Sequence, residues 1–148
     1  MSTRHDLPLS ATHQVRDACL CLHVQRAARA LGRHFDEVFR SLDLTHGQFS
    51  LLMSLNRPEP PSIGSVAALL VMDRTTLTAA LKPLERRGLV KVSVDKGDKR
   101  SRRLAITAAG RSLLAKAFPV WTRTHAEIER SIPRGGPDSL RAALRALS

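Results

Sequence analysis

Nine consecutive residues, DKGDKRSRR (Asp95–Arg103), carry seven charges, five positive and two negative. Cations at this density suit a polyanion. Lys and Arg displace counterions from phosphates, and Arg is drawn into narrow, electronegative minor grooves of duplex DNA. From Asp73 to Arg103 the chain holds ten Lys/Arg against four Asp/Glu, +6 of its total +11, whereas residues 43–72 sum to −1. One region therefore carries the electrostatics. Within it, Lys99, Arg100 and Arg102 are the candidate contacts at a hairpin tip. Asp95 and Asp98 read as holding the turn and orienting an arginine. On the helix before it, Arg74, Thr75, Thr76, Thr78, Lys82 and Arg86 combine small hydroxyls with cations, a mixture suited to phosphates and base edges. A charged tip alone is most often a solvated turn; its weight comes from the elements around it.

Other reactive groups are few. Cys19 and Cys21 form a CLC pair. Two residues apart on a helix, their side chains point about 200° away from each other, so they do not pair within one chain, although a dimer can bring like cysteines together. They are the candidate redox residues; the plainer role is that of small buried hydrophobes. Histidines 5, 13, 23, 34, 46 and 125 show no metal-ligand spacing, and no metal or other cofactor is expected. His34 and Trp121 are candidates to line a small-molecule effector pocket, against the simpler reading as core or helix-surface positions. A phosphate-cradling glycine loop, a nucleophile elbow and an evident acid pair are all lacking, so the chain does not read as an enzyme. Its five aromatics include no Tyr. That disfavours RNA or single strands, which are held by exposed stacking rings.

These residues need a scaffold. At 148 residues and 43% apolar content the chain reads as one domain with a real core. It lacks an apolar run of about 18 residues and an apolar leader, so no membrane is expected and a cytoplasmic location is. Residues 1–14 read as a flexible arm. Apolar positions 18, 21/22, 24, 28, 31, 35, 38/39 and 42 predict one helix over Val15–Leu42, long enough that part should pack on a second subunit. Thr45-x-x-Gln48 is a capping box. RPEPP (Arg57–Pro61) is a loop. Ser62 caps a helix over Ile63–Leu70, with Val66, Leu69 and Leu70 inward. After a tight turn at Val71-Met72, Asp73 caps a helix that ends at Gly88. Its inward stripe is Leu77, Ala80, Leu81 and Leu84, and Pro83 should bend it. Strands follow over Leu89–Val94 and Arg102–Ile106. Thr107 caps a helix to about Arg130, and a last helix covers Asp138–Leu147.

The expected fold is mainly α with a small β-hairpin: a winged helix-turn-helix plus a helical dimerisation region made of the first and last helices. Residues 15–44 and 107–148 would supply the dimerisation region and 45–106 the DNA-binding part. The segments LTHGQFSLLMSL, SVAALLVMDRTTLTAALKPLERRGLV and DKGDKRSRRLAITAAG, in this order, resemble the MarR family of winged-helix transcription regulators over residues 18–130. The points of likeness are the helix ending LERRGLV, the Asp-x-Arg of Asp98 and Arg100, and the run Leu104, Ile106, Thr107, Gly110. The resemblance implies a homodimer on pseudo-palindromic double-stranded DNA, often a repressor, released by a small phenolic effector or an oxidant. The spacing of Cys21 to Thr45 is similar to that of the reactive cysteine in the hydroperoxide-sensing branch, which orients its thiol with tyrosines that this chain lacks. Gly97, Val71 and Ala79 stand where the family often has Arg, Gly, and Arg or Asn. Base reading would then lean on Thr76, Thr78 and Lys82, or on DNA shape. Two alternatives stay open: a winged-helix interaction module for an acidic protein, and an architectural DNA-binding protein without sequence preference.

Overall fold

The computed structural model describes residues 6–148. The chain divides into two compact units, residues up to 34 and residues 35–148.

In the first unit, α1 (Leu9–Ala18) follows Pro8, whose extended backbone starts the helix. Cys19 is extended (φ −69°, ψ 112°), its N–H bonded to the Val15 carbonyl, and α2 (Leu20–Val38) begins after it. Two expectations change here. Residues 9–14 are helical rather than part of an arm, and residues 1–5 lie outside the described residues. The single helix over Val15–Leu42 is broken at Cys19 and stops at Val38. Apolar periodicity runs through both breaks, so the pattern alone does not reveal them. Loss of helical backbone at Cys19 also removes the spacing from which opposed thiols were inferred. Along α2, Leu20, Val24 and Leu31 leave an apolar row exposed.

The second unit starts in the last turn of α2. A short 3-10 turn (Arg40–Leu42) closes on Asp43 in the left-handed region. Next, α3 (His46–Ser54) carries the expected capping box: Thr45 Oγ1 accepts the Gln48 N–H (3.2 Å) and Gln48 Oε1 accepts the Thr45 N–H (3.1 Å). Asp36 accepts the His46 N–H (2.7 Å) and meets its ring Nδ1 (2.8 Å). These bonds, the backbone one first, hold the Asp36 carboxyl below the usual carboxylate range.

In α4 (Ile63–Leu70), Val66 and Ala67 are buried and Leu70 half-buried, but Leu69 is 58% exposed rather than inward. The inward face runs 63, 66, 67, 70, and position 69 falls off that stripe. The chain then turns by 106° into α5 (Arg74–Arg86). Val71 makes the turn in the left-handed conformation (φ 53°, ψ 47°), with the Met72 N–H on the Ala67 carbonyl. A β-branched residue is strained there. Because its side chain is exposed, Val71→Gly should raise stability, by about 1 kcal/mol at most. Matched chemical denaturations check this, and a loss of stability would show that the turn is unstrained.

Beyond α5, Gly88 (φ +69°) leads into β1 (Val90–Val94), paired antiparallel with β2 (Arg102–Ile106) in the register Val92↔Leu104. The RPEPP segment does more than loop. Pro61 donates nothing but accepts the Leu104 N–H (2.9 Å), and Ser62 bridges Arg103, so this segment flanks the hairpin. Finally, α6 (Ala108–Arg130) runs through Pro119, and α7 (Gly136–Ala146) begins earlier than expected because Pro137 sits in its first turn, where no N–H is needed. Arg141 ties α7 to Glu129 of α6 (2.6 Å). The core is built on Phe39, Leu52, Leu55, Val66, Leu77, Leu84 and Leu104, all fully buried. Leu140, Leu144 and Leu147 leave a second apolar row exposed at the end of the chain. Among the described residues no single helix is long and apolar enough to cross a membrane.

Candidate nucleic-acid interface

The Asp73 carboxylate starts α5 by accepting both the N–H (2.7 Å) and the hydroxyl (2.9 Å) of Thr76. These bonds, again the backbone one first, keep its carboxyl below the usual range. Leu77, Leu81 and Leu84 then turn inward and Ala80 is half-buried. The outward face carries Arg74, Thr75, Thr76, Thr78, Lys82 and Arg86, all exposed. Two threonines are already engaged as donors: Thr76 to Asp73, and Thr78 to the Arg74 carbonyl (2.7 Å). What they offer outward is a methyl group and an acceptor oxygen. Arg74 lies back over Gly64 of α4, where an added Cβ would come within 2.8 Å of its Nη2. Lys82 and Arg86 have no ion pair among the described residues.

At the wing, the tip is built by its acids. Asp95 Oδ1 accepts the Gly97 N–H (2.9 Å), and Asp98 Oδ1 accepts the Arg100 N–H (3.0 Å). Backbone bonds then close the tip from Asp95 to the Ser101 carbonyl and from Ser101 to the Asp98 carbonyl. The Asp95 carboxyl is lowered first by the Gly97 N–H and then by Arg103. Of the three tip cations, Arg102 folds back onto the Lys99 and Ser101 carbonyls (3.3 Å each). Lys99 and Arg100 project with no side-chain partner among the described residues. The arginine paired with an acid is Arg103, bonded to Asp95 (3.0 Å) and to the Pro60 carbonyl (3.3 Å). Arg87 likewise reaches the Asp43 carbonyl (2.7 Å). These two braces are not separable by sequence from the free cations beside them. For Arg103 the hints are the acids expected to orient an arginine, of which Asp95 does so, and strand alternation, which sets Arg103 on the opposite side from Leu104.

Trp121 belongs to an aromatic column: Phe49 at 6.5 Å, Phe118 at 5.9 Å and His125 at 4.7 Å between ring centroids. It lines a cavity of about 400 Å³ with Phe49, Met53, Leu70 and Phe118, built by the second unit alone. His34 lies exposed on α2 in the first unit. Both cysteines are free thiols. Cys19 is half-buried, and Cys21 is exposed and accepts from Gln25 Nε2 (3.1 Å) rather than filling a core.

Residues 44–101, the stretch holding α3 to the wing tip, match the family model described as the MarR family. The transcriptional regulator MosR of M. tuberculosis, solved in complex with DNA, is 36% identical, covers 88% of this chain and is itself covered over 93%, with a TM-score of 0.80. The chain belongs to the MarR family. The transcriptional repressor CouR, bound to a 23-mer DNA duplex, is 26% identical, with 96% of this chain and 98% of CouR covered and a TM-score of 0.78. The curated regulator TtmR of Methylorubrum extorquens is 35% identical over 103 residues, 70% of this chain. The match spans about half of that relative, 53% of its length. In MarR-family terms α4 and α5 are the helix-turn-helix and β1–β2 the wing, so the expected fold class holds. The family-like run from β2 into α6 also gains a physical account. Leu104 and Ile106 are buried, Thr107 caps α6, and Gly110 allows α6 to approach Leu89.

Proposed function

We propose that this MarR-family regulator binds double-stranded DNA with sequence preference as a homodimer, placing α5 in the major groove and the wing in the flanking minor groove. The observation that carries the reading is the pair of cation sets without an ion pair among the described residues, Lys82 and Arg86 on α5 and Lys99 and Arg100 on the wing, within a chain whose relatives MosR and CouR are known on DNA. The exposed apolar rows on α2 and α7 support the homodimer, since isolated chains rarely leave such rows uncovered. In a twofold assembly the two α5 helices would enter successive major grooves about 34 Å apart. Repression is the output this reading favours, by occlusion of a promoter. Asp98 serves the tip turn rather than touching the negatively charged duplex.

Two triggers are compatible with this scheme. A small aromatic effector suits the cavity at Trp121, whose walls are mostly apolar, with Ser50 and Ser54 among them, and whose size is that of a ligand pocket. Oxidation of the exposed Cys21 thiol is the other, with Cys19 two residues away. A thermal-shift screen of phenolics and peroxides separates them, the first acting through Trp121 and the second lost in Cys21→Ser.

Fluorescence anisotropy with a labelled duplex from upstream of the chain's own gene, against a random duplex of equal length, tests the main reading. Preferential binding with a sedimentation mass of two chains supports it. Equal affinity for both duplexes favours an architectural protein, and no binding favours a protein-interaction module. Lys82→Ala should flatten the dependence of log K on log salt by roughly 0.9, the share of one phosphate contact. An unchanged slope removes Lys82 from the phosphate contacts.

A further inference from the structure

Arg103 is the wing cation most completely engaged inside the protein. Its Nε donates to Asp95 Oδ2 at 3.0 Å, its Nη2 lies 3.0 Å from the same carboxylate, and its Nη1 donates to the Pro60 carbonyl at 3.3 Å. Each end of this link is tied to an element of the candidate interface. Asp95 uses its other oxygen to hold the Gly97 N–H, and so shapes the tip that carries Lys99 and Arg100. Pro60 leads into Pro61, which accepts the Leu104 N–H, and into Ser62, which bridges Arg103 and caps α4 by accepting the Ser65 N–H (3.2 Å). Asp95 is the better shielded partner, its side chain 17% exposed.

We propose that Arg103 is a positioning residue for DNA recognition: through Asp95 and the Pro60 carbonyl it locks the wing to the start of the helix-turn-helix, so that Arg100 reaches the duplex from a fixed direction. The proposal rests on the reading of this chain as a duplex-DNA binder. Arg103 differs from its neighbours in kind. Its charge is neutralised by Asp95, so it contributes little to counterion release, and its planar fork meets two acceptors in a fixed geometry that a lysine head on its flexible stem does not reproduce. The Leu104 N–H bond to Pro61 ties the wing near its base, and the Arg103–Asp95 link carries that tie toward the tip, where a two-stranded ribbon has little stability of its own.

The test is a double-mutant cycle on the full chain, by anisotropy with the same upstream and random duplexes over a range of KCl. Arg103→Lys keeps the charge and loses the fork. Wild type should lose roughly 5- to 150-fold in affinity for the upstream duplex on Arg100→Ala. In the Arg103→Lys background that loss should shrink to about twofold or less, the coupling expected of residues that act as a unit. Arg103→Lys alone should weaken binding with its salt slope within about 0.3 of wild type, where a lost phosphate contact would remove roughly 0.9. Equal losses on Arg100→Ala in both backgrounds overturn the proposal, as does a full-unit change of slope. Thermal melts confirm that the variants fold. Should Arg103→Lys not fold, Asp95→Asn enters the same cycle, since it keeps an acceptor for Gly97 and removes the charge that holds Arg103. If wild type binds neither duplex, the DNA-binding reading itself falls; if wild type binds and the cycle is additive, only the brace falls.

Discussion

Gly110→Ala should destabilise the chain by on the order of 3 kcal/mol, a fall in melting temperature of about 10 °C for a chain of this length. A Cβ at position 110 would lie 2.4 Å from the Leu89 carbonyl oxygen and 2.7 Å from Ile106 Cγ1. Neither is free to retreat. The Leu89 oxygen accepts the Thr107 N–H (3.0 Å), and Ile106 is buried in the core at the end of β2. Thr107 adds to the constraint, because its hydroxyl donates to the Gly88 carbonyl (2.6 Å) and accepts the Gly110 N–H (3.1 Å). The methyl group must therefore push the start of α6 away from the start of β1, breaking bonds on both sides. Propensity works the other way, since Ala is the better helix former by about 1 kcal/mol, and the steric cost is expected to exceed it. A melt unchanged or raised would show that α6 does not approach Leu89 so closely. The same substitution should shift the wing relative to α6 and so weaken duplex binding beyond the loss of folded protein.

Arg100→Ala should cost about 1–3 kcal/mol in affinity for a specific duplex, roughly 5- to 150-fold. Its backbone is set by Asp98, which accepts the Arg100 N–H (3.0 Å), and its guanidinium has no partner among the described residues. Among the described residues it gives up no side-chain bond to enter a groove. Arg102 differs: its head rests on the Lys99 and Ser101 carbonyls, and it steadies the tip while adding charge. The expected order of effects is therefore Arg100 above Arg102. The loss should be larger on A/T-rich flanks with a narrow minor groove, where arginine is held most strongly. Unchanged affinity on such a duplex would take the wing out of the interface.

Much of this architecture is written in short stretches of sequence. Caps at Thr45, Ser62, Asp73 and Thr107, the stripe of Leu77, Leu81 and Leu84, and the limits of the wing all follow from hydrogen bonds and periodicities among residues within a few positions of one another. Such features are properties of consecutive residues, and the outward face of α5 is fixed once its inward face is known. The exposed acid-and-base run of the wing is legible for the same reason, as is membership of a winged-helix family.

Where contacts join distant residues, the chain order is silent and the tertiary structure decides. Arg87 and Asp43 are 44 positions apart, and Arg103 and Pro60 are 43 apart. Only folding separates these two bracing arginines from the free cations Lys82, Lys99 and Arg100, although all share one basic stretch. It also makes Pro61 a flank of the hairpin, places Leu69 outside the core and opens the cavity beside Trp121. The break at Cys19 escapes local reading because the apolar rhythm continues across it. Charge and periodicity thus determined that a cationic helix and hairpin exist, and long-range packing determined which of their cations remain free, because a side chain's partner depends on what the fold brings beside it.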